Sequence, residues 1–328
     1  MNDRRKIMTR SSRATLLLVM GLVWAATLAE GGAKPIQLSC LPADTTWLLH
    51  LDVDQLQRSQ VGAPFLESLA GSAARPQMAF LQALLNFDPR TGLHSATLYG
   101  AGSSPSNAVL LLAGDFDRAR LSALVKLGRG YQGSPHRSHT VHSWRDDSGS
   151  APPGDRTRRF GAIHPSGLVV LGQKAERIVQ ALDVLDRLAP NLSRVDALPR
   201  PDAQAPSPMI FATARQTDLS WMAPNAALLK RCRSLLLTAG ETNHQVRAQL
   251  VIQAENEGQA RSMLAVSRGL LAWAALGPEQ PVLSQLAPRL ILTQQEDRVL
   301  ASLEVSSTET KAWLEQAGLL SPPRREAR

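Results

Sequence analysis

The chain has 328 residues, enough for one large domain or two modest ones with a substantial core. Its apolar fraction of 44% is mostly Ala, Leu and Val, aromatics make up 4%, and 36 Lys and Arg face 28 Asp and Glu. This composition excludes a disordered or fibrous chain, and without a basic element carrying stacking aromatics it gives no footing for nucleic-acid binding.

The first 29 residues read as an address label. Arg4, Arg5, Lys6, Arg10 and Arg13 form a basic head, and Ala14 to Ala29 is an apolar run followed by small residues, the layout of a secretory signal peptide. The expected cut follows Ala29, with Ala33 as second choice and an uncleaved anchor as the alternative. Cleavage removes five basic residues and Asp3, leaving 31 basic against 27 acidic residues, a net of +4, so much of the basic excess belongs to the label. The mature chain is then expected outside the cytoplasm, periplasmic or extracellular, with no stable membrane span.

Leu41 to Asp54 carries the first structural signal. Trp47, Leu49, Leu51 and Val53 alternate with Thr46, Leu48, His50 and Asp52, the period of a half-buried strand, and Asp54 stands where a helix N-cap belongs. Helical segments are expected over 54–69 and 76–85, then a hairpin of Ser95–Gly100 with Asn107–Gly114, and a helix over 115–127. His139–Trp144 reads as a short strand, Arg159–Ile163 with Gly167–Leu171 as a second hairpin, and Gln173–Leu188 as an amphipathic helix. A Pro-rich stretch over 191–207 marks the boundary between a first unit, 30–190, and a second, 208–320, ahead of a basic tail, 321–328.

The second unit repeats the order. Met209–Ala214 is a strand, 219–230 holds short helical pieces, and Ser234–Ala239 and Gln245–Gln253 are strands. A long helix over 255–276, a hairpin of Arg289–Thr293 with Val299–Val305, and a helix over 307–317 follow. Hairpins imply antiparallel pairing, and strands with one apolar face imply sheets covered on one side. The expected fold is α+β: two repeated units of mainly antiparallel sheet with helices covering one face, side by side or sharing a continuous sheet.

The opening Leu-Pro-Ala-Asp-Thr, then Leu51-Asp52-Val53-Asp54, Phe87-Asp88-Pro89 with Gly92-Leu93, and Gly114-Asp115-Phe116-Asp117 resemble a layout shared by uncharacterised exported bacterial proteins of acidobacterial and planctomycete type. The resemblance covers most of the mature chain and implies no activity, cofactor or catalytic residue.

Chemistry-bearing patterns are sparse. His136, His139 and His142 form the densest histidine cluster and the candidate metal or haem ligands, although a separation of three on one strand sends His139 and His142 to opposite faces. Asp52 and Asp54 form an Asp-x-Asp that reads more simply as strand end and cap. Gly100-Ala101-Gly102-Ser103-Ser104 lacks the Lys and helix of a phosphate loop, and no Gly-x-Ser-x-Gly elbow occurs. Cys40 and Cys232 could pair after export, which would stabilise the fold by about 5 kcal/mol if unstrained; two separate buried thiols are the alternative. The expected function is an exported cell-envelope protein acting as a non-enzymatic binding or interaction module without a cofactor, its partner an envelope component or another protein. The alternatives are an exported hydrolase with a site between the units, or a metal- or haem-binding protein.

Overall fold

A computed structural model describes residues 37–69, 92–145, 158–196, 198–202, 207–215, 232–276 and 281–320. The leader, the basic tail and the helical segments expected over 76–85 and 219–230 lie outside the described residues.

Twelve strands make one sheet. They are β1 (Trp47–Asp52), β2 (Leu93–Gly100), β3 (Val109–Gly114), β4 (Gln132–His136), β5 (His139–Arg145), β6 (Arg158–Ile163), β7 (Leu168–Gly172), β8 (Ile210–Arg215), β9 (Cys232–Thr242), β10 (Gln245–Ala254), β11 (Ile291–Gln295) and β12 (Arg298–Ser306). Their spatial order is β11-β12-β10-β9-β8-β1-β2-β3-β7-β6-β5-β4, and every neighbouring pair is antiparallel. The first strand therefore lies inside the sheet, paired with β2 from Trp47↔Gly100 to Asp52↔Ser95 and with β8 from Trp47↔Ala214 to Leu51↔Ile210. The sheet is continuous across the two halves, and the α+β antiparallel architecture is as expected.

The helices are α1 (Val53–Arg58), α2 (Gly62–Leu69), α3 (Arg118–Lys126), α4 (Ala175–Leu185), α5 (Glu257–Leu276), α6 (Pro281–Leu286) and α7 (Ser307–Gln316). Successive strand residues point to opposite faces, so the two neighbours Leu111 and Leu112, like Val170 and Val169, mark the two sides of the sheet. Leu112 and Val169 cluster with Leu121 of α3, whereas Leu111 and Val170 cluster with Ile178 and Leu182 of α4. Cross-strand partners share a face, and the row Ala96↔Leu51↔Ile210↔Ala239↔Ala248 carries the α3 side into the second half. There Ala260, Met263 and Leu264 of α5 pack on Ala254 and Val299. Helices α1, α2, α3 and α5 thus share one face, and among the described residues α4 is the helix that covers the other in the first half.

Local chemistry explains the joints. Asp52, not Asp54, caps α1: its Oδ1 accepts the Gln55 N–H at 2.9 Å. The helix begins at Val53, its cap two residues earlier than the alternation suggests, which places Asp54 inside the first turn. Asn243 and His244, with φ of 52° and 59°, make the two-residue turn between β9 and β10, the left-handed pair that matches strand twist. Trp47 lies across Gly100, where an added Cβ would stand 2.5 Å from the indole Cζ2, and its Nε1 donates to the Gly102 carbonyl at 3.0 Å.

The Pro-rich stretch is packed where it is described. Leu192 and Leu198 are buried in the main core, Pro42 bridges to Asn191, and the Leu192 N–H donates to the Leu41 carbonyl at 2.8 Å. Among the described residues no helix is long and apolar enough to cross a membrane.

Candidate functional site

A groove of about 1140 Å³ opens on the α4 side of the sheet. Its floor comes from the inward residues of β1, β2, β3 and β7, among them His50, Thr97, Leu111 and Leu168, and one wall is the C-terminal turn of α4 with Leu185. The opposite wall exists because α4 stops abruptly. Arg187, at φ 64°, takes the left-handed conformation that ends a helix, and the Leu188 N–H donates back to the Asp183 carbonyl at 2.7 Å. The chain then returns over the sheet as 188–194, pinned to Leu41 and Ala43 by backbone hydrogen bonds.

Two pairs of polar groups in the groove are tied together. His50 Nδ1 and the Thr97 hydroxyl meet at 2.8 Å, and Asn191 Oδ1 accepts from the Ser193 N–H and hydroxyl at 3.2 and 2.6 Å. Leu188 stands 58% exposed at the edge, an apolar side chain facing the open space.

At the lip of the groove, two histidines share one carboxylate. His139 Nε2 meets Asp186 Oδ2 at 2.8 Å, and His164 Nε2 meets Asp186 Oδ1 at 3.1 Å. The rings stand 5.2 Å apart, tilted by 35°. Three elements converge here: β5 supplies His139, the β6–β7 turn His164, and the residue after α4 Asp186. The tip of the β4–β5 hairpin is clasped beside it, with His136 Nε2 and Arg137 Nε on Asp183 Oδ1 at 2.9 and 3.0 Å. Asp183 in the last turn of α4 and Asp186 at its C-cap, three residues apart, face the same hairpin. The hydrogen bond from His139, with that from His164, holds the Asp186 carboxyl below the usual range against the opposing effect of burial; His136 and Arg137 do the same for Asp183.

The His136, His139, His142 set is therefore not brought together. His142 points to the other side of β5, where Nδ1 meets the Tyr131 hydroxyl at 3.0 Å and burial, with Lys126 nearby, lowers its pKa. His164 and Asp186 take its place beside His139. Sequence inspection missed them because His164-Pro165-Ser166 reads as a turn and Asp186 as an exposed helix end. Cys40 and Cys232 form no disulfide: Cys40 packs on the main core and Cys232 on the α5 cluster, and burial raises both thiols.

A second histidine–carboxylate arrangement lies on the α3 side. His94 meets Asp54 Oδ1 at 3.1 Å and Asp115 Oδ1 at 3.2 Å, and Asp54 is fully buried. This tie gives Asp54 the role that capping does not.

No family model and no curated protein matches the chain. Among solved structures, crystal form III of TP0453 is similar at 10% identity, with 87% of this chain and 99% of that chain covered and a TM-score of 0.48. Crystal forms I and IV of TP0453 are similar at 12% and 11% identity, covering 89% and 86% of this chain and 100% and 96% of the other, with TM-scores of 0.41 and 0.43.

Proposed function

We propose that this chain is an exported protein of the cell envelope and a non-enzymatic binding module, with the α4-side groove as its ligand site. The observation that carries the reading is the groove itself: a cavity of about 1140 Å³ in which Leu111, Leu168, Leu185 and Leu188 stand beside His50, Thr97 and Asn191. A concave lining that mixes apolar area with placed polar groups is that of a ligand site. The basic head and apolar run at the N-terminus support export, and the resemblance to uncharacterised exported bacterial proteins points the same way. Duplication of one ancestral unit is part of the proposal: β8-β9-β10-β12-β11 follows the order of β1-β2-β3-β7-β6, with antiparallel pairing throughout.

The test uses the purified mature chain, crosslinked and used to capture partners from envelope extracts, beside Leu188→Asp. That substitution places a charge in the groove at an exposed position, so folding is expected to be unchanged in circular dichroism. The wild type is expected to capture a defined component and the variant to lose about tenfold or more of it, the effect of one unpaired charge replacing the apolar contact at Leu188. Equal capture by both, or none by either, removes the groove from consideration. Turnover of chromogenic esters or peptides that disappears in Ser166→Ala would instead favour a hydrolase, since the Ser166 hydroxyl lies 2.7 Å from His164 Nδ1.

A further inference from the structure

We infer that His139, His164 and Asp186 form a binding site for one divalent transition-metal ion of the zinc class. The inference stands independently of the groove reading, because the ion needs no groove ligand in order to bind.

The donor atoms are two imidazole Nε2 and one carboxylate oxygen, and they lie within 4.8 Å of one another. A zinc-class ion bonded at about 2.0–2.2 Å to each holds its ligands roughly 3–4 Å apart, so the cluster accepts it with small side-chain adjustments. Two imidazoles and one carboxylate select zinc, cobalt or nickel over calcium and magnesium, which take oxygen ligands. Three protein ligands also leave a fourth position open, and the Asp186 side chain is 25% exposed, so solvent reaches the cluster.

The surroundings suit ligation. The His139 and His164 side chains are only 3% and 11% exposed, so their orientations are fixed by packing. The Ser166 hydroxyl and backbone N–H meet His164 Nδ1 at 2.7 and 3.2 Å and hold the ring in place. That nitrogen accepts the N–H while Nε2–H faces Asp186, and ligation through Nε2 requires the proton to leave Nε2, either to solvent or to Nδ1 with the hydroxyl as acceptor. The His136–Asp183–Arg137 clasp holds the hairpin tip against α4, so the strand bearing His139 and the helix end bearing Asp186 are already in register. Without an ion, the two Nε2–H groups donating to Asp186 keep the same geometry, as a site poised for exchange requires.

The experiment is titration of chelator-treated full chain with zinc chloride by calorimetry at pH 7.5, followed by cobalt chloride with visible absorption. The expected result is one equivalent bound with micromolar or tighter Kd, a d–d spectrum of low-coordinate cobalt, and a raised Tm. His164→Gln and Asp186→Asn are each expected to weaken binding by at least about tenfold, while His142→Ala, on the opposite side of β5, leaves it unchanged. Circular dichroism identifies any variant that fails to fold, and the wild-type cobalt spectrum tests the site without a variant. Lack of stoichiometric binding by the folded wild type overturns the inference. So does binding that survives both His164→Gln and Asp186→Asn in folded protein, since the ion then sits elsewhere.

Discussion

At residue scale, the contact between Trp47 and Gly100 shows how one missing side chain sets the packing of the central strands. The indole occupies the space a Cβ at 100 would need, and its Nε1 fastens the turn beyond β2 through the Gly102 carbonyl. Gly100→Ala must displace the ring or the strand, and overpacking of this kind costs about 1–3 kcal/mol. In urea titrations the variant is expected to have a lower midpoint with an unchanged m-value; an unaltered midpoint would show that the ring yields freely. The same scale marks a limit of sequence inspection. Period-two alternation extends through Val53 because Val suits a strand, yet the chain enters its helix there, and the capping carboxylate is Asp52. Both aspartates match the local rules for a cap. Only the position of the first helical turn distinguishes them.

At element scale, the elements easiest to foresee were those whose two faces differ. Helix α4 is legible from Ile178, Ala181 and Leu182, all of them buried. Strand β4 was missed because Gly133 and Pro135 are poor strand formers; it is an edge strand, where a missing N–H costs little. The two-sided cover of the first half had a signal in the runs Val109-Leu110-Leu111-Leu112 and Leu168-Val169-Val170-Leu171, since consecutive apolar residues mark a strand buried on both faces. Contacts between elements left no such mark. Glu241, near the end of β9, accepts hydrogen bonds from Ser59 at the α1–α2 corner, from the Val61 N–H, and from the Ser307 hydroxyl at the start of α7. Burial pushes its pKa up, but those hydrogen bonds outweigh it, and the carboxyl stays below its usual range. A depressed folded-state pKa gives stability that is present above the unfolded value, about 4.3, and is lost as pH falls through the folded one. Glu241→Gln is therefore expected to cost about 1–2 kcal/mol at pH 7, with the gap to wild type narrowing below pH 4. Urea midpoints of both proteins across pH 3–7 measure this; a gap that widens on acidification contradicts the assigned role.

At the scale of the whole molecule, the decisive feature is the seam between β1 and β8. Element order was readable along each half, because periodicity is a local property. That the first strand would occupy the middle of a twelve-stranded sheet was not, because a partner some 160 residues away leaves no pattern in either segment. The seam is expected to make the halves one cooperative body. Phe211 belongs to β8, the opening strand of the second half, yet it is 2% exposed and packs in the cluster built on Leu48, Tyr99 and Leu111. Truncation to Ala removes most of that side chain from a close-packed interior and is expected to cost about 3–5 kcal/mol. If the seam couples the halves, the loss is shared: native-state hydrogen exchange at Leu98 in β2 and at Leu250 in β10 should show the same fall in protection, close to the global change. Protection lost at Leu250 alone would mean that the second half opens as a separate unit, and that the continuous sheet joins two independent folding units.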